Sequence, residues 1–171
     1  MWEMRFLLES LRDLFREVMS TPELQARLAT TQGAVGGIRI VALVAGERDR
    51  ELLSRLAVEH RWVLHFAATC GEARDALNES KAPIVLCDRE LPATEWRDVI
   101  QMIVSSAHQT YAILVSKVAD DYLWNEVIRR GGHDLLATPL REEDVLRAIR
   151  LAWSYWNSSM KVQPMLMKHY C

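Results

Sequence analysis

The hydrophobic rhythm of the chain changes near residue 36. Upstream, Met1, Met4, Leu8, Leu11, Phe15 and Val18 recur at steps of three and four, with charged residues between them. That spacing predicts an amphipathic helix over residues 2–19. Thr21, Pro22 and Glu23 follow as an N-cap, a proline at the first helical position and an acid, and open a short second helix to about Leu28. Residues 30–37 (TTQGAVGG) are small and turn-prone and read as a linker. Downstream, compact apolar runs alternate with amphipathic stretches. Strands are predicted at 38–44, 62–68, 83–87 running into Asp88, 111–115 and 133–137. Helices are predicted at 48–60, 71–79, 95–105, 119–130 and 141–157, the fourth ended by Gly131 and Gly132.

The first of these strands, IRIVALV, is apolar almost throughout. A strand of that kind is buried on both faces, as in a parallel sheet covered by helices. Five strands alternating with five helices give an α/β fold, and right-handed crossovers leave few topologies. The expectation is a flavodoxin-like (βα)5 three-layer sandwich with sheet order 2-1-3-4-5 and an N-terminal helical extension. The predicted organisation is an extension and linker over 1–35, the α/β domain over 36–158 and a tail over 159–171. In such sheets functional groups gather at the carboxyl ends of strands 1, 3 and 4, here Val44–Glu47, Asp88 and Ser116.

Composition narrows the chemistry. The formal net charge of -2 over 171 residues provides no basic excess for a nucleic-acid surface. Cys70, Cys87 and Cys171 are odd in number and lack the spacing of a zinc site or a disulfide framework. They read as reduced thiols of a cytoplasmic protein. No run approaches the ~18–20 apolar residues of a membrane span, and the N-terminus lacks the pattern of a secretory leader. His60, His65, His108, His133 and His169 have no metal-ligand spacing, and no glycine-rich phosphate loop occurs. No cofactor and no small-molecule substrate are expected on these grounds.

Four segments carry a family resemblance. IVLCDRELP pairs a strand with Asp88 and a proline four residues on; ILVSKVADD ends a strand in Ser116; GGHDLLATP surrounds the last strand; CGEARDAL opens the second helix. In this order and at these gaps, the stretch from Arg39 to about Trp156 resembles the receiver domain of bacterial response regulators, a CheY-like domain of two-component phosphorelays. The resemblance implies Asp88 as the phosphoacceptor position and Ser116, Leu135 and Thr138 as switch positions. It also locates departures. The adjacent acids that hold a divalent cation in the family fall on Val44, Ala45 and Gly46. The family's lysine falls on Thr138, its switch aromatic on Leu135, and its third-helix glycine on Trp96.

These departures bear directly on phosphoryl transfer, in which positioning and charge neutralisation carry nearly all of the catalysis. Mg²⁺ takes oxygen ligands, and Val44, Ala45 and Gly46 have no side-chain oxygens. An uncompensated unit-charge pair at ~4 Å costs about 4 kcal/mol at an effective dielectric of 20. At about 1.4 kcal/mol per decade, that is roughly three decades in rate. The sequence therefore predicts a degenerate pseudo-receiver, neither an enzyme nor a metalloprotein. Glu47 and Asp49 are expected to decorate the start of the first helix, at the positive end of its dipole. A phosphorylatable receiver that recruits Glu47, Asp49 or Glu90 to bind Mg²⁺ is the alternative. A flavodoxin-like enzyme or small-ligand binder that uses the strand-end crevice is a third reading.

With catalysis disfavoured, surfaces become the lead. The last helix carries Val145, Ile149, Ala152 and Trp156 along one stripe and Leu146 and Trp153 along another. One stripe suffices to cover the sheet. Trp153 and Trp156, with Trp124 on the preceding helix, are therefore interface candidates, as aromatics are enriched at interfaces. The family resemblance points to the same face for dimerisation. Leu8, Leu11 and Phe15 form a further candidate surface, packing in cis or in trans. A homodimer or another protein partner is expected.

Overall fold

Each predicted apolar run after the linker forms a strand. β1 spans Arg39–Leu43, β2 Val63–Phe66, β3 Ile84–Asp88, β4 Tyr111–Ser116 and β5 Asp134–Ala137. The intervening helices are α1 (Glu47–His60), α2 (Cys70–Ser80), α3 (Trp96–Val104), α4 (Asp121–Arg129) and α5 (Glu142–Leu166). This computed structural model describes residues 37–166 except 93 and 107, with side chains as far as Ser159. The predicted helices at 2–19 and near 22–28, with Leu8, Leu11 and Phe15, lie outside the described residues.

The sheet is parallel and ordered β2-β1-β3-β4-β5, as the crossover argument requires. Leu43 pairs with Cys87, Asp88 with Val115, and Ser116 with Ala137, so the carboxyl ends of the central strands lie side by side. Alternation along the strands divides the core into two layers. Val41, Leu43, Val85, Cys87, Ala112 and Leu114 face α2, α3 and α4, where Leu77, Val99, Ile100, Ile103 and Val127 meet them. Ile40, Ala42, Val44, Ile84, Leu86, Ile113 and Val115 face α1 and α5, meeting Leu53, Leu56, Val145, Ala148, Ile149 and Ala152. Each fully buried branched side chain contributes about 1.5–3 kcal/mol, so these two layers hold the sandwich closed.

Local chemistry sets the helix starts. Thr69 Oγ1 accepts from Glu72 N at 3.2 Å, and Glu72 Oε2 accepts in return from Ala68 N at 2.8 Å, a reciprocal cap at the head of α2. Asp120 Oδ1 accepts from Leu123 N at 2.8 Å at the head of α4. After α4 the chain turns through Gly131 at φ +86°. Gly132 is buried there, and a Cβ on it would lie 2.5 Å from Val127 Cγ1 and 3.0 Å from the Val127 carbonyl oxygen. α5 continues to Leu166, beyond the 157 that its apolar stripe predicts. None of the described helices is long and apolar enough to cross a membrane.

Candidate functional site

β3 delivers Asp88 to the carboxyl edge of the sheet, half-buried, where its Oδ1 accepts from Glu90 N at 3.0 Å and closes the following turn. Cys87 points into the opposite layer and is fully buried. Its thiol is pushed up to about 12, first by burial and then by the neighbouring Asp88 carboxylate. It is therefore a core residue and not a nucleophile. At the end of β4, Ser116 is buried and its Oγ accepts from Val118 N at 3.2 Å.

The end of β1 differs most from an acidic cation site. Val44 is 2% exposed and its side chain packs in the α1–α5 layer. Ala45 and Gly46 are exposed and contribute no side-chain oxygen. The Val44 carbonyl accepts from Arg50 Nη1 at 3.2 Å, and the Arg50 guanidinium lies 4.2 Å from the centre of the Phe66 ring. A cation held against an aromatic face thus sits beside the end of β1.

Asp49 is 4% exposed and does more than decorate the start of α1, as the sequence reading had it. Its Oδ2 accepts from Thr138 Oγ1 at 2.6 Å, and its Oδ1 accepts from Leu140 N at 2.7 Å. Both carboxylate oxygens are committed to the loop after β5. Thr138, at the family's lysine position, is thereby a hydrogen-bond donor to a buried acid. Glu47 stays exposed at the start of α1. Val44, Ala45 and Gly46 offer an Mg²⁺ ion no side-chain oxygen, and both oxygens of the buried Asp49 are engaged by the loop after β5. Among the described residues, no group of three or more His, Cys, Asp or Glu is placed to hold a metal.

The sequence reading missed Lys117. Its Nζ lies 2.6 Å from Glu90 Oε2, and this hydrogen bond and ion pair, with a smaller contribution from Asp88, raise its pKa. The cation is exposed, so the pairing adds little to stability. It does place a positive charge beside Asp88 from β4 instead of from β5. The signal was available as the lysine directly after Ser116.

The structure brings two of the three interface tryptophans together. Trp153 and Trp156 stack with ring centroids 5.0 Å apart and planes 13° apart, and Trp153 also packs against the α1–α5 layer. Separately, His133 contacts Tyr111 edge-on at 5.0 Å and Tyr155 at 5.6 Å. Burial lowers the His133 pKa, partly opposed by Asp134. Trp124 is half-buried on α4, where Tyr122 is 78% exposed. Leu135, at the switch-aromatic position, is half-buried against the α2–α4 layer.

Solved structures share this arrangement. A signal receiver domain of an HD domain-containing protein from Pseudomonas fluorescens Pf-5 matches with TM-score 0.64 and 23% identity over 71% of this chain and 98% of its own. A CheY-like response regulator receiver domain protein from Methanospirillum hungatei JF-1 matches with TM-score 0.61 and 17% identity, covering 72% and 99%. The chemotaxis response regulator CheY4 of Vibrio cholerae matches with TM-score 0.61 and 14% identity, covering 68% and 98%. The chain has the receiver-domain fold. No family model matches it, and no curated protein matches it in sequence. The match covers nearly the whole length of these neighbours, and Asp88, Ser116 and Thr138 stand at the strand ends of the shared fold.

Proposed function

We propose that the chain is a non-catalytic pseudo-receiver of bacterial signal transduction, working in the cytoplasm through protein–protein contact as a homodimer. The observation that carries this reading is the state of Asp49. The one buried acid near the end of β1 spends both oxygens on Thr138 and Leu140, while Val44 is part of the core. A carboxylate at Asp88 then faces an incoming phosphoryl group without a divalent cation to neutralise it, and Lys117 is already paired with Glu90. The exposed aromatics Tyr122 of α4 and Tyr155 of α5, the latter against His133 at the start of β5, support contact through the face of α4 and α5.

Intact-mass spectrometry after incubation with acetyl phosphate and Mg²⁺ tests the first half of this reading. The expected result is an unmodified chain; a stoichiometric phosphoryl adduct mapped to Asp88 supports the phosphorylatable alternative instead. Light scattering tests the second half, on the full chain and on a truncated chain starting at Gly36. A monomer in both cases at high concentration contradicts the homodimer.

A further inference from the structure

We propose that Asp49 is a conformational latch, fixing the loop after β5 and the head of α5 in a single arrangement. The inference deepens the pseudo-receiver reading and rests on it in one respect: a domain that receives no phosphoryl group must present its output face without one.

Asp49 and Ser116 are the two buried polar side chains among the described residues. Asp49 stands in the first turn of α1, where the helix dipole favours a carboxylate. Its partners lie 89 and 91 residues further along the chain, directly after β5. The two contacts are of different kinds. Thr138 donates a side-chain hydroxyl. Leu140 donates the first backbone N–H after Pro139, from a residue whose own side chain is buried in the α1–α5 layer. The loop is therefore held by its backbone as well as by a side chain; Thr138 is half-buried, while the Leu140 N–H lies in a buried contact and cannot turn to water without opening the core. A second tie runs in parallel on the surface, where Arg55 of α1 donates to Glu142 at the start of α5 at 3.1 Å. α5 then carries Val145, Ile149 and Ala152 into the core, with Trp153 packed against the same layer and stacked on Trp156. Releasing the loop at Thr138 and Leu140 frees the end of α5 nearest that loop.

The test is hydrogen exchange on the full chain, comparing wild type with Asp49→Ala, Asp49→Asn and Thr138→Val. Asp49→Ala leaves the buried Leu140 N–H and the half-buried Thr138 hydroxyl without their acceptor, and exchange across residues 138–146 is expected to rise by about tenfold or more, with β1 and β3 still protected. Asp49→Asn keeps an acceptor for Leu140 N–H and Thr138→Val removes one contact of the two, so both should fall between wild type and Asp49→Ala. Unchanged exchange at 138–146 in Asp49→Ala overturns the latch. So does a uniform rise across all five strands in every variant, which marks a general stability residue. Phosphorylation of Asp88 in the wild type, tested separately, would end the pseudo-receiver reading while leaving the exchange result to stand on its own.

Discussion

Substituting Val44 with aspartate places a carboxylate at the first of the positions where the receiver family carries its cation-binding acids. By sequence alignment this looks like a partial repair. The structure predicts damage, because Val44 is 2% exposed and its side chain sits in the α1–α5 layer among Leu53, Leu56, Val145 and Ile149. Losing the buried valine costs about 1.5–3 kcal/mol. An uncompensated charge in that layer adds about 3–5 kcal/mol, less whatever the group avoids by taking up a proton. A net loss of roughly 4–6 kcal/mol is comparable with the ~5–15 kcal/mol that holds a typical domain together. Ala45→Asp is the control: residue 45 is exposed, and its cost should stay within about 0.5 kcal/mol. Burial raises the pKa of an aspartate at 44, so its protonated form suits the fold and the penalty shrinks as pH falls. Urea denaturation of both variants at pH 7.5 and pH 5.5 measures this. Equal midpoints for Val44→Asp and Ala45→Asp would refute the placement of Val44 in the core.

Gly132→Ala should destabilise by about 1–3 kcal/mol, because the new Cβ meets Val127 Cγ1 at 2.5 Å and the Val127 carbonyl at 3.0 Å; an unchanged thermal midpoint contradicts it. The lowered His133 pKa means that its neutral form suits the fold, so its contribution is complete above the unfolded pKa of about 6.5 and is lost as pH falls through the lower folded value. His133→Phe should flatten the stability profile in that acidic window, and a profile identical to wild type excludes the histidine as its source. With its thiol pushed up to about 12, Cys87 should resist a thiol-specific reagent at pH 8 in the native state and react in urea; labelling of Cys87 in the folded chain at the rate of a free thiol argues against its burial.

The architecture was legible because it is written in local pattern. Each strand from β1 to β5 lies within two residues of its apolar run, and Asp88 and Ser116 fall at strand ends as the sequence placed them. The site was only partly legible. That Val44 lacks an oxygen is visible in the sequence, but that its side chain belongs to the core is not, since a continuous apolar run does not say which of its last residues leaves the sheet. Asp49 was read by its helix position because its partners, Thr138 and Leu140, are 89 and 91 residues away and no periodicity joins them. α5 was read as ending at residue 157, just past the end of the apolar stripe, although the backbone remains helical to Leu166. Trp153 and Trp156 were placed on different stripes of α5, yet their three-residue spacing makes them neighbours on the helix surface, and they stack.

A pseudo-receiver requires that the strand-end site of this receiver fold take up neither a divalent cation nor a phosphoryl group. Amide chemical shifts recorded during titration with Mg²⁺ and beryllofluoride address it at the residues themselves. The amides of Asp88, Glu90, Ser116 and Lys117 are expected to keep their positions up to millimolar Mg²⁺. Saturable, Mg²⁺-dependent shifts centred on Asp88 would contradict it.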